Sequence, residues 1–337
     1  MNAHHTATTR ELSLPRLRRL VRRALLGLGL TSEQASIVRD VLLYAELRGN
    51  AQGLIKILER TVVPSPDAEL ADIERITPTL ARVRARGEPG MVVLQGASDL
   101  LAGMATTHGL ALVTTVGTDT SSGALGYYAQ RIARHGLIAL VAAGSPKTMA
   151  LHGGRSPVLG SNALALAVPV AGHDPLLLDM TTAATPVFNL HRARYRGEPI
   201  AEGLALDSAG RPTVDAVQAL AGALLPWGGA KGSGLALMLE ILTGPLTGAA
   251  IVGDPIDSRG NVLLALNPAV IAPDGTFDER LSQFLHRLES IDGGARLPGV
   301  ASQHRASEHE RRGSLELELD LVDALRRLAL ATRLSEQ

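Results

Sequence analysis

The chain has 337 residues, of which 45% are hydrophobic, and its 33 Lys and Arg residues balance 33 Asp and Glu residues. A chain of this length can bury more than one core, and a formal charge of zero gives no general attraction to nucleic acid or anionic lipid. The absence of cysteine excludes disulfides, thiolate nucleophiles and Cys-ligated metals.

The N-terminus and the apolar runs bear on the compartment. The first thirteen residues are polar and contain no apolar core of a signal peptide. The longest apolar runs, such as Leu137–Gly144, have the length of a strand and not of a membrane span. We therefore expect a soluble cytoplasmic protein with no nucleic-acid partner, no membrane partner and no metal site.

The N-terminal part is predicted to be helical. Pro15 suits the first turn of a helix, and Thr31 with Gln34 three residues later is typical of a capping box that starts a second helix. We expect this second helix to end near Arg48 and a short third helix to begin near Gln52.

Apolar runs of strand length then alternate with helical patterns, after a connector predicted from Pro64 to Pro78. The predicted strands are 80–86, 91–96, 110–117, 137–144, 163–170, 176–180 and 262–268, and the predicted helices are 98–107, 124–134, 232–243, 277–288 and 314–332. This alternation indicates an α/β protein with mixed strand pairing left open. No G-x-G-x-x-G follows an early strand, so the usual dinucleotide fingerprint is missing.

Composition turns polar near residues 75 and 270, and these points divide the chain into segments 1–75, 76–270 and 271–337. We predict a helical N-terminal segment on the dimer and substrate side and a central cofactor-binding α/β domain. The helical C-terminal segment is predicted to pack back on the N-terminal part.

Five blocks place glycines or small residues beside apolar runs, an arrangement that lets backbone N–H groups approach a phosphate-bearing cofactor. They are GALGYYAQRIARHGLIAL, LGSNALALAVP, LLLDMTTA, GEPIAEGLALDSAGRPT and GGAKGSGLAL. In this order they resemble the malate/L-lactate dehydrogenase-like oxidoreductases, a family that includes sulfolactate, ureidoglycolate and Δ1-piperideine-2-carboxylate/pyrroline-2-carboxylate enzymes. The resemblance extends from about residue 12 to 330, with this chain as a divergent member.

The resemblance implies an α/β fold with a largely antiparallel mixed sheet, not a Rossmann fold. It also implies a homodimer that uses NAD or NADP. Carried over position by position, it gives these cofactor contacts: Ser145, Asp179, Met180, Thr181 and Lys231. A lysine among glycines can reach a phosphate as a point charge, although a solvent-facing lysine at a helix start is the alternative.

The chain departs from the family at two histidine positions. The family pattern R-G-x-x-S-H-G-x-x-R corresponds to Arg48–Lys56, with Gln52 in place of the histidine and Lys56 in place of the arginine for the substrate carboxylate. Ser121 stands where a second histidine precedes the G-Y-Y helix. A positioned histidine contributes about 10²–10⁴-fold to a proton transfer, and glutamine cannot exchange a proton near neutral pH.

Three explanations are open. Another group can supply the proton, the candidates being Lys147, His152, His108 and His191, although His108 also suits a helix C-terminus and His191 a basic surface run. The substrate can be a protonated C=N compound, whose reduction by hydride needs no acid. The protein can also bind a dinucleotide without turning it over, as a degenerate paralogue.

We expect an NAD(P)-dependent oxidoreductase that acts on a small 2-imino or 2-oxo/2-hydroxy carboxylate. Gln52 and Ser121 are predicted to orient the reacting C=N or C=O group, and Lys56 is predicted to hold the carboxylate.

Overall fold

The computed structural model describes residues 9–254, 258–272, 275–291 and 296–335. Its helices are α1 (Leu14–Leu26), α2 (Ser32–Leu47), α3 (Ile55–Leu58), α4 (Gly90–His108), α5 (Leu125–Ala133), α6 (Val187–Arg196), α7 (Ala216–Ala221), α8 (Ala230–Thr243), α9 (Pro268–Ile271), α10 (Thr276–Ile291), α11 (Val300–Arg312) and α12 (Leu319–Ser335). Its strands are β1 (Thr9–Ser13), β2 (Glu69–Thr77), β3 (Leu80–Arg86), β4 (Leu110–Thr118), β5 (Ile138–Ala143), β6 (Lys147–Met149), β7 (Leu159–Gly160), β8 (Ala163–Val168), β9 (Leu176–Thr181), β10 (Ala205–Leu206), β11 (Pro212–Thr213), β12 (Ala223–Leu224), β13 (Arg259–Leu266) and β14 (Ser314–Glu318).

The main sheet has seven strands in the order β2-β3-β4-β13-β5-β8-β9. The β3–β4 pair is parallel and the other five neighbouring pairs are antiparallel. Strand β13, from late in the chain, lies between β4 and β5. This arrangement confirms the predicted α/β class with a largely antiparallel mixed sheet.

Helices α4 and α5 cover the main sheet, α4 against β4 and α5 against β5 and β8. The strands they cover carry alternating small and branched residues that are fully buried, such as Val113, Val141, Leu263 and Ala265. The core therefore lies between these helices and the central strands, and it leaves the strand ends free to carry polar groups.

The two ends of the described chain meet. Strand β1 pairs antiparallel with β14, and α12 packs against α1 and, more lightly, against α3. Leu17 and Val21 of α1 and Val322 and Leu325 of α12 are all fully buried. The division of the chain at residues 75 and 270 stays a prediction.

A second sheet of five short strands, in the order β11-β10-β12-β6-β7, lies beside α8. It has a small apolar cluster of its own, which includes Met149, Leu190 and Leu224. None of the helices in the described part of the chain combines the length and hydropathy needed to cross a lipid bilayer.

The predicted capping box at the start of α2 is confirmed. The Gln34 backbone N–H donates to the Thr31 hydroxyl at 3.3 Å, and the Thr31 backbone N–H donates to Gln34 Oε1 at 3.0 Å. Two backbone donors that the helix leaves unpaired are thereby satisfied by local sequence alone.

The strand predicted at 91–96 is wrong, because these residues form the first turns of α4. Met91, Leu94 and Leu101 are fully buried, at spacings of three and seven that place them on one helical face. The run is apolar enough to pass for a strand over six residues, and its helical period becomes visible only over the whole 19-residue helix.

Three further predictions need correction, and two of them concern strands that the sequence pattern did not indicate. The connector predicted from Pro64 to Pro78 contains β2, an edge strand whose residues are nearly all exposed. The helix predicted from residue 314 begins instead at Leu319, because Ser314–Glu318 pair with β1. The third helix begins at Ile55, three residues after the predicted start.

Candidate functional site

One cavity of about 560 Å³ lies where α3, α6, the ends of β5 and β9 and the turn before α5 meet. This volume is in the usual range for small-molecule sites. Seven of the eight sequence-predicted site residues line it: Gln52, Lys56, Ser121, Ser145, Asp179, Met180 and Thr181. Motifs separated by more than 120 residues in the chain are thus brought to one place.

Lys231, the eighth residue, does not line the cavity. It lies in the first turn of α8 and its side chain is exposed to solvent. Its contact with a cofactor stays a prediction.

Lys56 lines the cavity, and only 1% of its surface is exposed although its side chain ends in an ammonium group. Its Nζ donates to Ser121 Oγ at 2.6 Å and lies 3.6 Å from the centroid of the Phe188 ring. Burial, and to a lesser degree the charge of Arg259, lower the pKa of Lys56 well below its ordinary value. A lysine in this setting can lose its proton far more readily than a solvated one.

Ser121 is fixed by the turn between β4 and α5. Its backbone N–H donates to the Thr61 carbonyl at 2.8 Å, and its Oγ accepts from the Gly123 backbone N–H at 3.1 Å. Gly123 has a φ of +73°, and a Cβ there would lie 2.5 Å from Val41 Cγ1. The turn therefore requires glycine at this position and holds the hydroxyl between Lys56 and the cavity.

Gln52 reaches the same wall from the turn after α2. Its backbone N–H donates to Asn50 Oδ1 at 2.9 Å, and the residue is half-buried at the cavity surface. Its amide can donate and accept hydrogen bonds but cannot transfer a proton near neutral pH.

His191 is the one imidazole among the residues that line the cavity. The surface position weighed for it is wrong, since its side chain is only 18% exposed and its Nδ1 lies 3.1 Å from Glu59 Oε2. Its ring stacks on Phe188 with the centroids 5.2 Å apart. Burial is the main cause that lowers the pKa of His191, and Glu59 acts in the opposite direction.

The other candidate proton donors lie outside the cavity. Lys147 borders a small neighbouring cavity that shares Ser145, and the exposed His152 uses its backbone N–H to bond Ser233 Oγ. His108 is exposed in the last turn of α4, before Gly109 with its φ of 82°. That is the helix-terminal position considered for it.

The opposite wall is built on Asn162, which is fully buried. Asn162 Oδ1 accepts from the Ser145 backbone N–H at 3.2 Å, and its Nδ2 donates to Glu240 Oε2 at 2.6 Å. Ser145 Oγ lies 3.3 Å from Ser161 Oγ, and the Thr181 hydroxyl donates to the Ser161 carbonyl at 2.7 Å. These bonds fix a row of hydroxyl groups along the cavity.

Asp179 lies in the second half of β9, against the start of α5. Burial raises the pKa of its carboxyl to about 6, and a hydrogen bond from the Gly126 backbone N–H opposes this rise. A Cβ at Gly126 would lie only 2.8 Å from Asp179 Oδ2, so glycine allows the helix start to approach the carboxylate.

Sequence reasoning missed several cavity residues, among them Arg60, Asp119, Phe188 and Arg259. Arg60 has a φ of 53°, which makes it the one non-glycine residue with positive φ in the described ranges. Such a conformation is costly, and in a cavity wall it points to a functional position. Phe188 is one of three phenylalanines in the chain, and this scarcity is the signal that could have marked it.

No group of three or more His, Asp or Glu side chains suited to hold a metal ion occurs among the described residues. The cavity lining instead combines hydroxyl groups, amides and cations with the carboxylates of Asp119 and Asp179. The hydroxyls suit the sugar and amide groups of a nicotinamide nucleotide, and the cations suit an anionic substrate.

Comparison with known proteins gives consistent results. The family model described as malate/L-lactate dehydrogenase matches residues 12–326. The chain is 34% identical to the (2R)-3-sulfolactate dehydrogenase (NADP(+)) of Chromohalobacter salexigens, over 96% of this chain and 99% of that protein. It is 32% identical to a Δ1-pyrroline-2-carboxylate/Δ1-piperideine-2-carboxylate reductase of Pseudomonas putida, over 71% of this chain and 72% of that one.

The fold is also found in solved structures. A dehydrogenase from Sinorhizobium meliloti superposes with a TM-score of 0.87 at 29% sequence identity, covering 96% of this chain and 99% of the other.

Proposed function

The chain belongs to the malate/L-lactate dehydrogenase family, and on this basis we propose that it is an NAD- or NADP-dependent oxidoreductase. The proposed substrate is a small 2-imino or 2-oxo/2-hydroxy carboxylate. The observation that supports this most directly is that one cavity collects the hydroxyl row at Ser145 and the polar pair Lys56–Ser121. A hydride transfer needs a cofactor face and a substrate face in contact, and the two walls offer them.

The cofactor is proposed to lie against Ser145 and Asp179–Thr181. When bound, its nicotinamide ring supplies or accepts the hydride. The chain's part is to orient it: the Asn162 network holds Ser145, and the Ser161 carbonyl holds the Thr181 hydroxyl. Because Lys231 lies outside the cavity, a contact from it would involve a part of the dinucleotide that extends beyond the cavity.

The substrate is proposed to lie against the wall formed by Gln52 and Ser121. These two groups would orient the reacting C=O or C=N bond through hydrogen bonds. Lys56, Arg60 and Arg259 place three cations in the cavity lining against the two carboxylates of Asp119 and Asp179, a balance that favours an anionic substrate such as a carboxylate. Lys56 Nζ donates to Ser121 Oγ at 2.6 Å, and its contact with the carboxylate stays a prediction.

The proposed activity is tested with purified protein in two steps. Titration of NADH and of NADPH is expected to change the nicotinamide fluorescence, with dissociation constants that identify the preferred cofactor. A panel of 2-oxo acids, 2-hydroxy acids such as malate and sulfolactate, and the cyclic imine Δ1-piperideine-2-carboxylate is then assayed at 340 nm. Turnover of at least one compound is expected, and binding of neither cofactor would contradict the proposal. Binding with a silent panel would point to a protein that binds the dinucleotide without turnover.

The family resemblance also supports a homodimer as the state in solution. Size-exclusion chromatography with light scattering is expected to give twice the chain mass of 35.3 kDa. A monomer would contradict this part of the proposal.

A further inference from the structure

The chain contains only three lysines, Lys56, Lys147 and Lys231, among its 33 Lys and Arg residues. The other 30 of these residues are arginines, which do not lose their proton in proteins. Lys56 is the lysine that lines the large cavity, and it is the fully buried one of the three. A cation that can lose its proton therefore lines the cavity in which the hydride transfer is proposed to occur.

The hydrogen bonds of Ser121 connect the Lys56 ammonium group to the interior of the cavity. A hydroxyl has one proton to donate and two acceptor positions. Both acceptor positions of Ser121 Oγ are used, one by Lys56 Nζ at 2.6 Å and one by the Gly123 N–H at 3.1 Å. The described residues provide no acceptor for its own proton, and Ser121 lines the cavity. The free O–H is therefore available to a molecule bound there.

The groups around Lys56 allow both of its protonation states. Arg259 on β13 and His191 on α6 act on it electrostatically, and the Phe188 ring of α6 covers it. The nearby Glu59 is paired with His191 and with Arg194 at 2.7 Å. Burial, followed by the charge of Arg259, lowers the pKa of Lys56, while the Phe188 ring face and the Ser121 hydroxyl still accommodate the ammonium form.

We propose that Lys56 and Ser121 form a proton relay for carbonyl substrates, in which Lys56 acts through the Ser121 hydroxyl. This proposal rests on the proposed function. As a hydride from the reduced nicotinamide nucleotide bonds to the substrate C2, the C=O π pair moves to oxygen. That oxygen takes the Ser121 proton, and Ser121 Oγ takes a proton from Lys56 Nζ, which becomes a neutral amine. Oxidation of a hydroxy acid runs through the same steps in reverse, with solvent exchange restoring Lys56.

The relay assigns the substrate carboxylate to Arg60 and Arg259, since the Lys56 ammonium is directed at Ser121. It also separates two substrate classes. A 2-oxo acid needs the proton in the hydride step, whereas a protonated cyclic imine becomes a neutral amine without one. The relay therefore matters for the first class and not for the second.

The first test measures Lys56 without cofactor or substrate. Protein labelled with [ε-¹³C]lysine gives three signals, and the Lys56 signal is identified by its loss in Lys56→Arg. Its titration is expected to have a midpoint well below the ordinary value of about 10.4. The midpoint is expected to shift in Ser121→Ala, because the hydrogen-bond acceptor is lost. A midpoint at the ordinary value, or one unaffected by Ser121→Ala, would overturn the relay.

The second test compares substrates in the full-length enzyme with saturating cofactor. Lys56→Met, Lys56→Arg and Ser121→Ala are each expected to lower kcat for a 2-oxo acid about 10²–10⁴-fold. Reduction of Δ1-piperideine-2-carboxylate, at a pH where the imine is protonated, is expected to change by less than about tenfold. The wild-type oxo-acid rate is expected to fall as pH rises through the Lys56 midpoint, and this limb is expected to vanish in the variants.

Lys56→Arg is the decisive variant, because it keeps a positive charge but cannot titrate. If it retains the oxo-acid rate with an unchanged or lower KM, Lys56 is a carboxylate ligand and the relay is wrong. An equal decrease in kcat for the oxo acid and the imine would also overturn the relay. So would a wild-type enzyme that reduces the imine but no oxo acid. A protein that turns over neither class contradicts the proposed function, and the relay is then judged on the lysine titration alone.

Discussion

At the scale of single residues, the site holds an ammonium group almost out of contact with water. Lys56 has the Ser121 hydroxyl and the Phe188 ring as neighbours, but among the described residues no carboxylate pairs with its Nζ. Burying a charge without a counterion opposes folding. Such an arrangement is typical of a group retained for chemistry and not for stability.

Replacing Lys56 by Met is therefore expected to stabilise the protein by about 1–3 kcal/mol at pH 7. Because the folded-state pKa lies below the unfolded one, wild-type stability rises with pH between the two values, so the gain is expected to shrink toward pH 10. Urea unfolding at several pH values measures this. The exposed Lys231→Met is the control, with a change within about 0.5 kcal/mol. A loss of stability in Lys56→Met would show that its hydrogen bond and ring contact outweigh its burial.

Asp179 gives the opposite pH dependence. Its folded-state pKa of about 6 lies above the ordinary value of 3.8 for an aspartate, so between these two pH values the folded state binds more protons than the unfolded state. Its contribution is expected to make stability fall as pH rises from about 4 to 6. Asp179→Asn, which keeps the oxygen that accepts from Gly126, is expected to add about 1–3 kcal/mol at pH 7 and little at pH 3.5. A constant difference between the two proteins across this range would contradict the raised pKa.

At the scale of elements, one buried amide joins three parts of the site. Asn162 precedes β8, receives the Ser145 N–H from the turn after β5, and donates to the Ala236 carbonyl and to Glu240 on α8. The position of Ser145 is thus set by α8 through a side chain that never reaches the cavity. A fully connected buried network of this kind specifies one arrangement of its elements.

Asn162→Ala is expected to cost about 2–4 kcal/mol of stability, because the Ser145 backbone N–H loses its acceptor and Glu240 keeps only the Gly160 N–H as a donor. Cofactor binding is expected to weaken about tenfold or more. Chemical denaturation and cofactor titration of the same protein measure the two effects. Asn267→Ala is the control: it removes the cap of α9, where Asn267 accepts from the Ala269 N–H at 3.1 Å. It is expected to cost about 1 kcal/mol and to leave the affinity unchanged. Wild-type affinity in Asn162→Ala would show that Ser145 does not depend on this network.

The sequence predicts an element correctly where the interactions that form it are between residues close together in the chain. The capping box of α2 and the apolar strands β4 and β5 follow from neighbours in the chain. Strand β14 does not, because its pairing with β1 joins residues about 300 positions apart. Likewise the site motifs could be recognised by their glycines, but Phe188 and Arg259 reach the cavity only through the packing of α6 and β13. Tertiary contacts of this kind leave no periodic signal in the sequence.

At the scale of the whole molecule, the site depends on the last helix. Helix α12 packs on α1 and also contacts α3, the short helix that carries Lys56. Leu325 is fully buried in α12, and Leu325→Ala is expected to lower the free energy of unfolding by about 2–5 kcal/mol. Leu330, which is 58% exposed, is the control and is expected to change stability by less than about 0.5 kcal/mol.

The NMR signals of the labelled lysines show whether the destabilisation in Leu325→Ala extends to the cavity. In Leu325→Ala the Lys56 resonance is expected to move, because α3 loses support, while the Lys147 signal stays in place. Thermal unfolding and the labelled spectrum are recorded on the same sample. An unmoved Lys56 signal would show that α3 keeps its position without α12.

The place of β13 in the main sheet has a consequence for how the protein is made. Its two partners, β4 and β5, are synthesised more than 110 residues before it, yet they pair with each other only through it. During synthesis β4 and β5 therefore each keep one edge without a strand partner until β13 is made. Unpaired strand edges promote aggregation and are recognised by chaperones. Arg259, the first residue of β13, enters the cavity wall with this late insertion, so the cavity is completed only after the sheet has closed.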